Sequence, residues 1–121
     1  METISKEKNL KIAQLIEAFV LKHELQTDMR IYFNDIAWDY NSDGKKTILE
    51  DMKGSKYFEY ANDDCVSVST EGGLYNVINM LDVMGDTSAN TKLYDELDGE
   101  LKKLGVYFEN GNAWNFSVYE G

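Results

Sequence analysis

Proline is absent from all 121 residues, and histidine and cysteine occur once each. Cys65 has no partner in the chain, so no internal disulfide can form and a reducing, cytoplasmic setting is expected. A single His and a single Cys also exclude most catalytic and metal chemistries that rely on pairs of those residues. Positive charge is scarce. Twelve Lys and Arg stand against twenty-two Asp and Glu, a net charge of -10, which argues against a surface that binds nucleic acid directly. Long apolar runs are missing too: METISKEKNLKIAQL interleaves charge with its first apolar residues, so neither a signal peptide nor a membrane span is expected. The proline deficit is unusual against an average of about 5%, but it concerns loops and not function.

What is present suffices for one core. With 43% hydrophobic and 12% aromatic residues, the chain reads as a single domain over 1–121. Ile12, Leu15, Ile16, Phe19 and Val20 recur at three- and four-residue steps behind Ser5 as N-cap, and predict an amphipathic helix. From Asp28 the period becomes two: Met29, Ile31 and Phe33, then Ile36, Trp38 and Tyr40, alternate with polar neighbours as in a half-buried strand. Asn41-Ser42-Asp43-Gly44 is turn chemistry suited to a hairpin. Cys65 to Ser69, with Val at every second place, predicts another strand.

Gly72-Gly73 ends that strand, and Leu74, Val77, Ile78 and Leu81 return to helical spacing. After a loop over Asp86 to Asn90, Leu93, Leu97, Leu101 and Leu104 form the stripe of a further helix that Gly105 stops. The end of the chain predicts a hairpin from Val106 to Tyr119 with Asn110-Gly111 as a two-residue type I′ turn. That register sets Phe108 against Ala113 and Tyr107 against Trp114, and aims Tyr107, Trp114, Phe116 and Val118 at a helix. The expected fold is α+β: a mainly antiparallel sheet of four to six strands with about three helices packed on one face.

Asp39 to Glu50 resembles an EF-hand calcium loop. The resemblance implies oxygen ligands from Asp39, Asn41, Asp43, the carbonyl of Lys45, Thr47 and Glu50, with Gly44 at the obligatory turn. Lys46 occupies the position of an apolar residue, and the preceding Met29 to Trp38 alternates as a strand where an EF-hand has its entering helix. A plain hairpin turn is therefore the first expectation and a calcium-binding module the alternative.

Other motifs carry less. His23, at the end of the first helix, would need Cys65, Ser67 or Ser69 nearby to act as a catalytic base, so a small-molecule enzyme is the third reading. Gly72-Gly73 precedes a helix but lacks a dinucleotide or P-loop pattern. Asn115-Phe116-Ser117 matches a glycosylation sequon that a cytoplasmic protein does not use. No cofactor is implied.

Charge distribution is the most informative feature. Residues 1–27 hold four Lys and four acids, so the remaining ninety-four residues hold eight bases (12 − 4) and eighteen acids (22 − 4). Asp95, Glu96, Asp98 and Glu100 crowd one helix at three- and four-residue steps, where like charges repel by a few tenths of a kcal/mol a pair. The expectation is a non-catalytic acidic protein that binds, and inhibits or regulates, a partner protein with a basic, nucleic-acid-binding surface. Contact residues on this reading are Asp82, Asp86, Asp95, Glu96, Asp98 and Glu100, with Asp63 and Asp64 as a second cluster. Small acidic inhibitors from phages and mobile elements that block restriction or CRISPR nucleases are similar in size and charge. Eight tyrosines add amphipathic rings suited to a protein interface.

Overall fold

The computed structural model describes residues 5–58, 61–78, 88–112 and 114–121. Ser5 caps α1 (Lys6–Lys22), its hydroxyl accepting from the Lys8 amide at 3.1 Å. The chain then forms β1 (Met29–Phe33), β2 (Ile36–Tyr40), β3 (Lys46–Glu50), a 3-10 turn (Gly54–Lys56) and β4 (Val66–Thr70). Helices α2 (Gly73–Ile78) and α3 (Ser88–Lys103) and the strands β5 (Val106–Asn112) and β6 (Asn115–Glu120) are the remaining described elements. All strands pair antiparallel in one sheet of order β3-β2-β1-β4-β6-β5. This is the α+β architecture expected. None of the described helices is long and apolar enough to cross a membrane.

The run of alternation from Met29 to Tyr40 is two strands, not one. Asn34 and Asp35 both take positive φ, 50° and 63°, a conformation these short polar residues tolerate and a type I′ turn demands. The reversal moves the apolar positions from odd to even numbers: Met29, Ile31 and Phe33 face the same way as their partners Tyr40, Trp38 and Ile36. That face meets the helices. Ile12, Ile16 and Val20 of α1, Leu74 of α2, and Leu97 and Leu101 of α3 are fully buried against it with Val68, Phe116 and Val118, each such side chain contributing about 1.5–3 kcal/mol by removal from water. Ser88 to Asn90, inside the stretch expected to be loop, are already helical in α3.

The C-terminal hairpin forms with a different register from the one expected. β5 runs on through Asn110 and Gly111, the ladder shifts by one residue between Asn110 and Asn112, and Asn112 pairs with Asn115. Phe108 pairs with Val118, and Tyr107 with Tyr119. The bulge lets Phe108, Phe116 and Val118 share the helix face, where Phe108 meets Tyr94 of α3 at 5.1 Å between rings. Tyr107 and Trp114 therefore do not face a helix. Burial of three apolar residues outweighs the local turn preference of Asn-Gly, which serves the bulge instead.

Candidate functional site

The second face of the sheet is half covered. Tyr32, Ala37 and Phe58 form a small cluster there with Met52 and Trp114, the rings of Phe58 and Trp114 meeting edge to face at 5.5 Å. Asn62 anchors this cover, its backbone N–H donating to Ser67 Oγ at 2.7 Å and its side chain to the Val118 carbonyl at 2.9 Å. Beyond the cover the face is open, and the register places a polar row across it, Thr47, Asp39, Arg30 and Ser69, one from each of four adjacent strands, which ends at the buried Asn115 of β6.

A cavity of about 350 Å³ lies over the Asp39, Arg30 and Ser69 stretch of this row. Arg30 forms its floor, donating from Nε to Asp39 at 2.7 Å and from Nη1 to the Tyr32 hydroxyl at 3.4 Å. These two bonds, Tyr32 first, hold the guanidinium pKa above its ordinary value. Trp114 forms one wall, fixed where the Thr70 amide donates to its carbonyl at 2.7 Å. Asp28 and Glu71 form the rim, joined by the Glu71 N–H donating to the Asp28 carbonyl at 2.9 Å. Both are exposed, and neither joins an ion pair among the described residues. With Arg30 neutralised by Asp39, the rim keeps net negative charge.

The acids expected to carry binding are placed differently. Glu96 accepts from His23 Nε2 at 2.7 Å and lies 3.5 Å from Lys22; the His23 bond is the main reason its pKa is lowered. Asp98 pairs with Lys102 and Glu100 with Lys103, each at 2.8 Å, and Asp98 raises the Lys102 pKa. Asp95 alone of the four stands exposed outside any ion pair among the described residues. Asp63 accepts from the Ser55 amide and hydroxyl, and Asp64 lies beside it in a cleft that Lys6 and Lys53 also line. Asp82 and Asp86 lie outside the described residues.

The loop Asp39 to Glu50 is a hairpin between β2 and β3 that does not converge its oxygens. Asp39 turns to Arg30. Asn41 Oδ1 accepts from the amides of Asp43 and Lys45 at 2.8 and 3.0 Å. Thr47 pairs with Asp39, whereas Glu50 pairs with Ile36 and so projects from the opposite face of the sheet. Among the described residues no group of three His, Cys, Asp or Glu is arranged to hold a metal ion.

His23 and Cys65 stay apart. The Asn9 side chain donates to the Asp64 carbonyl at 3.3 Å, which sets Cys65 near the start of α1, while His23 ends that helix about 20 Å away at 1.5 Å per residue. Burial pushes the Cys65 thiol up to about 12, which keeps it un-ionised and a poor nucleophile. Ser67 and Ser69 project from the face opposite α1. Gly72 serves packing: a Cβ there would meet the Thr27 carbonyl oxygen at 2.0 Å. The sequon residues Asn115 and Ser117 are buried in β6.

Comparison with protein-family models, with curated proteins and with solved structures gives no match. Of the residues that line the cavity, sequence singled out Asp39 and Asn41 only as calcium ligands and Ser69 only as a possible neighbour of His23, and it missed Arg30, Asp28 and Glu71; one signal existed, since Arg30 is the only arginine, at a polar position of a strand, with Asp39 at a polar position of the next.

Proposed function

We propose that this chain is a non-catalytic acidic binding protein that docks on the basic surface of a partner protein, and that the cavity over Arg30 receives a cationic side chain of that partner. The reading places binding on the open sheet face and not on α3. One observation carries it: Asp28 and Glu71, outside any ion pair among the described residues, rim a cavity walled by Trp114 and Tyr32. Carboxylates supply attraction to a guanidinium or ammonium, and the Trp114 ring supplies a surface for its alkyl stem. The net charge of -10 steers a basic partner toward the molecule, and a partner held by its cationic groove is kept from nucleic acid, which makes the chain an inhibitor or regulator. The buried thiol of Cys65 and its distance from His23 support the absence of nucleophilic catalysis through either group.

An oligo-arginine peptide carrying a fluorophore tests the reading by anisotropy. Binding weakens several-fold between about 50 and 200 mM salt, and the double variant Asp28→Asn/Glu71→Gln weakens it at least about five-fold, as expected when rim charges are lost. Asp98→Asn/Glu100→Gln has little effect. Equal weakening by both double variants, or by neither, refutes the assignment to the cavity.

A further inference from the structure

The sheet ends on one side at β3, which pairs only with β2 and whose outer edge no described element covers. Lys46, Thr47, Ile48 and Glu50 are exposed, Ile48 at 59%. An edge of this kind presents unpaired main-chain donors and acceptors, and natural proteins ordinarily cover, shorten or bend it.

Register says which groups are open. The Asn41 amide donates to the Lys45 carbonyl at 3.2 Å, and bonded pairs alternate along an antiparallel ladder. Thr47 and Leu49 therefore bond inward to their partners Asp39 and Ala37, while the N–H and C=O of Lys46, Ile48 and Glu50 point outward.

The strand Lys46-Thr47-Ile48-Leu49-Glu50 is complementary to itself when reversed. Ile48 meets Ile48, Thr47 meets Leu49, and Lys46 meets Glu50 at both ends. The residues with outward main-chain groups are the same three that these pairs match, so both requirements are met in one register. We propose that two copies of this chain join edge to edge through β3 about a two-fold axis at Ile48, continuing the sheet across the dimer.

The junction forms about six main-chain hydrogen bonds from the outward groups of both strands. Lys46, Ile48 and Glu50 share the helix-bearing face, opposite Tyr40, Trp38 and Ile36, so the two Ile48 side chains cover each other. Lys46 already lies 3.7 Å over the Trp38 ring and 2.8 Å from Glu17, which keeps its ammonium on that face where the second copy's Glu50 arrives. The pairing strand is itself neutral, so the charge of -10 is not concentrated at the junction. This inference is independent of the proposed cavity, whose rim residues Asp28 and Glu71 do not belong to β3.

Sedimentation velocity at about 0.15 M salt, where charges more than about 8 Å apart are screened, tests it over a hundred-fold range of concentration. The expected mass rises from 13.9 kDa toward twice that value, and the amides of Lys46, Ile48 and Glu50 gain protection from hydrogen exchange in parallel. Ile48→Pro removes an outward N–H while sparing the ladder to β2, and Glu50→Lys sets like charges opposite each other; each variant keeps the circular dichroism of the parent and sediments as a monomer. A parent chain that stays monomeric throughout the range overturns the proposal. So does a dimer that persists in both variants, which would place the junction elsewhere, for example on the exposed Leu10 and Leu21 of α1.

Discussion

Replacing glycine by alanine at two positions is expected to change stability in opposite directions. At Gly72 the backbone lies so close to the end of the α1–β1 connection that a Cβ would sit 2.0 Å from the Thr27 carbonyl oxygen and 2.7 Å from its carbon. Ordinary contact begins near 3.4 Å, so one backbone must retreat by about 1.4 Å, the difference of those distances. Neither can retreat freely: the Glu71 amide is bonded to the Asp28 carbonyl at 2.9 Å, and the Gly73 amide lies 3.4 Å from the Thr27 hydroxyl oxygen. Overpacking costs about 1–3 kcal/mol, and a clash between two backbones belongs at the upper end. For a domain of this size that lowers Tm by about 8–15 °C. At Gly99, within α3, a Cβ meets nothing within 4 Å, so alanine only relieves the entropic penalty of a helical glycine, about 1 kcal/mol, and raises Tm by a few degrees. Thermal melts followed by circular dichroism read both. A Gly72→Ala protein that melts with the parent would show that β1 and α2 do not approach as described, and with that the joined rim of Asp28 and Glu71 would be lost.

Two further outcomes follow from individual contacts. Tyr40 is buried and donates to the Glu17 carboxylate; burial first, and this bond second, raise its pKa. Its contribution is therefore fully present below the unfolded value of about 10 and is lost as pH rises beyond it. Tyr40→Phe is expected to cost about 1.5 kcal/mol at pH 7, as for a hydrogen bond to a charged group, and to flatten the fall in urea midpoint above pH 10; an unchanged alkaline slope would refute the assignment. Calcium and a chelator are expected to leave Tm unchanged, because the oxygens of Asp39 to Glu50 are divided between two sheet faces. A saturable rise, about 2.7 kcal/mol at a hundred times the dissociation constant, would show that they converge.

Features that depend on near neighbours were legible in the residues. The N-cap at Ser5, the α1 and α3 stripes, the turn at Asn41 to Gly44 and the α+β class each rest on interactions within about four residues, where periodicity reports directly on the buried face. The hairpin of β1 and β2 was partly legible, since the apolar parity shifts at Asn34-Asp35, a pair able to hold positive φ. The C-terminal register was not. Asn110-Gly111 is a good turn and a good bulge, and local chemistry does not choose between them; Phe108, Phe116 and Val118 do, through their common burial.

Charge shows the same division. Composition alone determined that the molecule is strongly acidic and that one histidine and one cysteine limit its chemistry. Part of the compensation is local, Asp98 with Lys102 and Glu100 with Lys103 within α3, but the rest was decided by tertiary structure, because a carboxylate's field also depends on cations brought near it from elsewhere in the chain. Glu96 meets His23 across seventy-three residues, and Gly72 closes on Thr27 only because β4 returns beside β1. Electrostatic attraction and steric contact act through space, so only the fold shows that Glu96 is paired with His23 and that Asp28 and Glu71, outside any ion pair among the described residues, stand together beside the open sheet face.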